Sequence, residues 1–249
     1  MANRTRALYD RVFQQVTENI PNDCEIRYIT TDFELAAIQS IGSIERFSNS
    51  TVKACYFHLQ QSIWKRIQDI GAATLYTSNT EFAIDCRMLA ALAFVPVEKV
   101  CAEFENLASR VQQNLEFFDQ LIQYFQSNYI GNTVGGRQIG ARFPPTMWNL
   151  FTATGDGVGR TNNLVEGYHN HLNRLVGSSH PTIGKLVPTL KSDIEYSLVK
   201  VDQQFAGIAP EPWRTKYTNL NDRISRIVAT YNNDSLNFEY LRQIASIFI

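Results

Sequence analysis

The chain has 249 residues, 44% of them hydrophobic, with 23 Lys and Arg against 24 Asp and Glu and a formal net charge of −1 at pH 7. That length and apolar content suit one large or two small domains with a packed core, and the even charge balance excludes an overall basic footprint, so binding to nucleic acid needs a local patch. The longest apolar run, Met88 to Val97, is about half of the ~20 residues that cross a bilayer and contains Pro96, so no membrane partner is expected.

The basic residues at the N-terminus precede no apolar stretch, which argues against a secretory signal and for a reducing compartment. Cys24, Cys55, Cys86 and Cys101 form no CxxC pair and no disulfide framework.

From Arg4 to Ile20, Leu8, Val12, Phe13 and Val16 recur at helical spacing and predict an amphipathic helix ending before Pro21. After a turn at Pro21-Asn22-Asp23, the β-prone run Glu25 to Thr31 leads directly into Asp32, and Phe33, Ala36, Ala37, Ile38 and Ile41 then follow helical spacing. Asp32 is thus expected at a strand's C-terminal end. Ligands and metals collect there in α/β sheets, but an Asp before a helix also serves as an N-cap, and the residues alone leave both readings open.

A second β-prone run, Thr51 to Phe57, enters a helix marked by Leu59, Ile63, Ile67 and Ile70 and closed by Gly71. Its junction holds Cys55-Tyr56-Phe57-His58, a sulfur and an imidazole at a spacing that metals accept and that core packing also produces. Asn79 to Tyr129 reads as helices. Acidic residues predominate between Glu81 and Gln120 and basic ones from Arg137 to Lys200, which predicts solvated helix faces or a phosphate-facing surface. Gly135-Gly136-Arg137 to Gly140 is expected to be a flexible loop, and Gly155 to Gly159 a mobile loop rather than a phosphate cradle, since no Lys-Ser/Thr follows.

The stretch Arg160 to His169 reads as a helix start, with Asn162 or Asn163 as cap and Val165, Tyr168, Leu172 and Leu175 on a buried face. Glu166, His169 and Asn173 share one side of that helix. Asn163 and Glu166 also have the spacing of a capping box, so Glu166 is either a carboxylate aimed at a cleft or part of a cap. Ile183, Leu186, Val187, Leu190, Ile194 and Leu198 predict a further helix from Pro181 to Gln204, and Tyr217 to Ile249 is helical in pattern without a motif.

Taken together, Thr31-Asp32-Phe33-Glu34-Leu35-Ala36, Cys55-Tyr56-Phe57-His58-Leu59 with Ser62-Ile63-Trp64, Pro144-Pro145 with Trp148-Asn149, and Arg160-Thr161-Asn162-Asn163 through Glu166-Gly167-Tyr168-His169 resemble the Mutator-like element (MULE) transposase domain. The similarity covers roughly residues 25 to 200 and includes Leu175-Val176-Gly177 and Ser179-His180-Pro181. It implies an α/β, ribonuclease-H-like fold with a large helical insertion, and a DDE triad that holds Mg or Mn for DNA strand cleavage and transfer. By the resemblance Asp32 is the second acid and Glu166 the third, while Arg160, Asn162 and Asn163 are DNA-binding. Zinc is a second metal to consider, at Cys55, His58 and His169. His169 matches the family's Gly-x-His position and His171 does not, and at ~100° per residue a regular helix cannot aim both at one ion. The partners implied are DNA and a homo-oligomer or the remainder of the transposase, in the nucleus.

No stretch before Asp32 resembles the strand that bears the first acid. Asp10 lies in a helical pattern and Asp23 in a turn. The expectation is therefore a C-terminal part of the domain that keeps two short strands and is catalytically incomplete; a non-catalytic, transposon-derived DNA- or protein-binding module is the alternative. The expected parts are residues 1–70 (remnant of the core), 71–159 (helical insertion and loops), 160–204 (Glu-bearing helix and the next) and 205–249 (helical extension). With two strands only, the Ile26–Ile29 edge would stay unpaired, which predicts low stability or association.

Overall fold

A computed structural model describes residues 5–111, 115–134, 137–155, 163–178, 180–209, 215–232 and 237–248. The described residues are mainly helical (71%) with two small sheets of two strands each, a helix-rich α/β arrangement. No described helix is long and apolar enough to cross a membrane. The chain divides into two compact units, Met1–Thr161 with Asn221–Ile249, and Asn162–Leu220.

The first unit runs α1 (Arg6–Glu18), β1 (Tyr28–Thr31), α2 (Leu35–Ile41), β2 (Thr51–Ala54), α3 (Tyr56–Asp69), α4 (Ala73–Ser78), α5 (Thr80–Ala91), α6 (Val100–Arg110), α7 (Leu115–Phe125), β3 (Gly131–Val134), β4 (Arg137–Gly140), α8 (Pro145–Trp148) and α9 (Phe151–Gly155). The second unit holds α10 (Asn163–Val176) and α11 (Ile183–Phe205). Then α12 (Thr215–Val228) crosses back, and α13 (Phe238–Ile247) belongs to the first unit.

The core is built around α5, where Phe82, Ala83, Ile84, Cys86, Met88 and Leu89 are all buried. A helix apolar on every side must be covered on every side, and α3, α7 and α13 do this. The Asn79 side chain starts it by accepting the Phe82 N–H at 3.1 Å.

Two acids of the region expected to form solvated faces are in fact buried. Glu103 falls on the apolar side of α6 between Val100, Phe104 and Leu107, and its carboxylate accepts from the Asn237 backbone N–H (3.0 Å), Asn237 Nδ2 (2.9 Å) and the Tyr231 hydroxyl (3.2 Å). It ties α6 to the segment that leads into α13.

Asp85, on α5, is the second. Burial pushes its carboxyl up to about 6, outweighing the Arg242 guanidinium, which pulls it down; Glu81 adds to the rise. Because folding raises this pKa, the group favours the folded state fully below its ordinary value of 3.8, and that contribution is lost as pH rises through about 6. Asp85→Asn is accordingly expected to raise stability by about 1–2 kcal/mol near pH 7.5 and to change it little near pH 3, a contrast that thermal unfolding at the two pH values reads directly.

Within the region expected to be a flexible loop, Arg137–Gly140 forms a strand. β3 and β4 form an antiparallel hairpin, Gly131 opposite Gly140 and Val134 opposite Arg137, with Gly135 and Gly136 between them outside the described residues. A two-residue Gly-Gly link between short β-prone runs is a hairpin signal, and it outweighs the flexibility read from glycine content. Gly131 itself sits at φ 103°, and a Cβ there would meet the Ile139 carbonyl oxygen at 2.8 Å, so the strand can start this way only with glycine.

Helical spacing located α1 correctly but not its environment. Phe13 packs edge-to-face on Phe47 at 6.2 Å, whereas Leu8, Val12 and Val16 are exposed. Tyr168 and Leu175 on α10, expected on a buried face, are exposed as well.

Candidate functional site at the mouth of the parallel strand pair

β1 and β2 pair in parallel from Tyr28 opposite Thr51 to Thr31 opposite Ala54. The β-branched residues Ile29, Thr30, Thr31, Thr51 and Val52 favour this extended backbone. The Cys55 N–H donates to the Thr31 carbonyl at 2.7 Å, which extends the ladder by one step and holds the two strand ends level. The chain thus leaves both strands at the same edge, into Asp32 on one side and Cys55 to His58 on the other.

The two readings of Asp32 separate here. α2 starts at Leu35, and its cap position is Glu34, which makes no side-chain capping bond. Asp32, two residues earlier, is not the cap. It is half-buried and makes no hydrogen bond or ion pair with any described residue. Next to it Phe33 is wedged edge-to-face against Phe143 (4.9 Å) and Tyr129 (5.6 Å), which fixes the link that carries the carboxylate.

β2 ends earlier than its β-prone run, because α3 begins at Tyr56 and takes Tyr56, Leu59, Ile63 and Ile67 into the core. The opposite face of α3 presents His58, Gln61, Ser62, Lys65 and Asp69. Together with Asp32, Phe33 and Glu34 they line an open cleft of about 1010 Å³. The Ser62 hydroxyl shares a 2.7 Å hydrogen bond with the Tyr129 hydroxyl, whose own ionisation burial pushes far above the usual tyrosine range. His58 Nδ1 is buried without a hydrogen-bond partner.

The structure therefore brings Asp32 and His58 to one cleft. Cys55 is fully buried in the core and does not line it, so the Cys-x2-His pair does not offer its sulfur and imidazole to the cleft together. A half-exposed carboxylate among hydroxyl and amide oxygens suits a hard divalent cation, which takes oxygen ligands and retains waters. Among the described residues no three His, Cys, Asp or Glu side chains converge to hold a metal ion.

The Pro144-Pro145 and Trp148-Asn149 motif is structural. Trp148 is buried, donates its indole N–H to the Phe143 carbonyl at 3.1 Å and stands edge-on to Phe125 at 5.8 Å; Asn149 Nδ2 donates to the Val95 carbonyl at 2.6 Å. Lys53 of β2 reaches the Thr146 carbonyl at 3.1 Å. These bonds set the wall against which Phe33 leans.

Glu166 and His169 lie in α10, in the second unit, with Asn163 at its first position. The side chains of these three residues, and all of Arg160, Asn162 and residues 156–159, on which the expected mobile loop falls, lie outside the described residues. What α10 does show is a contact that helical spacing had not revealed: His171 Nε2 lies 3.0 Å from Asp193 Oδ1 of α11, and the Tyr168 hydroxyl also bonds Asp193, which raises its pKa. Asp193 is buried. An acid set between the apolar residues Leu190 and Ile194, facing a Tyr and a His three apart on another helix, is the sequence signal for it. Compared with protein-family models, with curated proteins and with solved structures, the chain matches none.

Proposed function

We propose that this chain is part of a Mutator-like element transposase of ribonuclease-H-like fold, acting on DNA in the nucleus, with Asp32 and Glu166 as its second and third acids, Arg160, Asn162 and Asn163 on the DNA, and Mg or Mn as its ion. We propose further that it does not cut DNA by itself. The observation that carries the reading is Asp32, a half-buried carboxylate at the carboxyl end of a parallel strand pair, spent on neither a cap nor an ion pair and lining an open polar cleft.

Two-metal phosphoryl transfer stabilises the attacking and the leaving oxygen with ions about 3.5–4 Å apart, and three carboxylates normally share that task. Neither aspartate on the N-terminal side of β1 takes the first role: Asp10 is on α1, 3.9 Å from Arg6, and Asp23 sits in a turn. Purified chain incubated with Mn²⁺ and labelled duplex is expected to bind DNA in a salt-sensitive way, to retain binding in Glu166→Gln, and to produce no nicks. Nicking that disappears in both Asp32→Ala and Glu166→Ala would overturn the inactive reading.

A further inference from the structure

Within the second unit, the other described residues leave an apolar stripe of α11 uncovered. Ile183 and Phe205, Val187 and Val201, and Leu190 and Leu198 stand symmetrically about Ile194, and successive members are 4, 3, 4, 4, 3 and 4 residues apart. Ile183 is 80% exposed, Ile194 55%, Leu198 58% and Phe205 87%; the two valines are exposed and Leu190 is half-buried. The pattern repeats every 11 residues. At ~3.67 residues per turn such a repeat stays almost parallel to the helix axis, so the stripe keeps to one side of α11 over about 33 Å, although Pro188 interrupts the helix hydrogen bonds near its N-terminal end. Asp193, which bonds His171 and Tyr168, lies ~100° round the helix from Ile194, so α10 covers a flank of the stripe and leaves its centre open.

We infer that this stripe is the face on which a second copy of the chain docks, α11 against α11, antiparallel and centred on Ile194. The spacing reads the same in both directions, so an antiparallel copy sets every apolar position opposite an apolar position, as a two-fold isologous interface requires. Lys191 and Glu195 lie on one border of the stripe. In that arrangement Lys191 of each copy comes level with the turn that carries Glu195 of the other, giving two opposite-charge pairs. The exposed stripe amounts to on the order of 700 Å² per copy, close to the ~800 Å² per partner of a stable interface.

Sedimentation of the full chain at tens of micromolar is expected to show a dimer, and Ile194→Asp combined with Leu198→Asp a monomer with unchanged circular dichroism. In a background of Cys24→Ser and Cys101→Ser, which removes the exposed thiols, Ile194→Cys is expected to form a disulfide-linked dimer under mild oxidation and Phe205→Cys none. A wild-type monomer at every concentration, a dimer that survives the two aspartates, or cross-linking through Phe205→Cys would each overturn the proposal.

Discussion

Glu103→Ala is expected to lower the unfolding free energy by about 3–5 kcal/mol, as much as truncating a large core side chain. The cost is not that of the carboxylate itself. Its removal takes an acceptor from the Asn237 backbone N–H, from the Asn237 amide, which keeps its bond to the Asn232 carbonyl, and from the part-buried Tyr231 hydroxyl, and each lost bond in this largely buried place carries a desolvation penalty. Nearby, the Tyr240 hydroxyl donates to the Phe94 carbonyl, so Asn237 and the first turn of α13 are each held to the core. Glu103→Gln keeps the shape and one acceptor oxygen and is expected to cost less than half as much. Urea denaturation of the two variants reads the difference: a shared, small shift of the midpoint would show that the network is not what holds α13 in place.

The parts of the fold that the sequence disclosed are those where one local rule dominates. β1, the position of Asp32 at its end, α3 closed by Gly71 at φ 77°, and α11 each follow from β-branching, apolar period or a glycine stop. Whether Asp32 was a cap could not be read there, because a cap is decided by where the helix begins, and α2 starts at Leu35. The burial of Glu103 and Asp85 was illegible for a different reason: charge patterning treats an acid as solvated, whereas their partners Asn237, Tyr231 and Arg242 come from the far end of the chain. The same limit applies to exposure. Helical spacing marks the apolar side of α1 and of α11, but only the fold shows that Leu8, Val12 and Val16 on one, and the Ile194-centred stripe on the other, remain uncovered.

The second large effect is expected at Asp32. Its carboxylate, like that of Asp69 at the far end of α3, lines the cleft without a described partner, and of these two only Asp32 stands at the end of the parallel pair; the cleft's remaining polar groups are a histidine, a hydroxyl, amides, a lysine and Glu34. A divalent ion there would rest chiefly on Asp32, so Asp32→Asn, which preserves volume and removes the charge, is expected to weaken binding tenfold or more, about 1.4 kcal/mol at the least. Manganese broadens the NMR signals of nearby amides, so titrating the ¹⁵N-labelled chain locates the ion without requiring catalysis. The proposed function predicts broadening centred on residues 32–34 and 58–62 that is lost in Asp32→Asn. Broadening centred elsewhere, or unchanged in that variant, would contradict it.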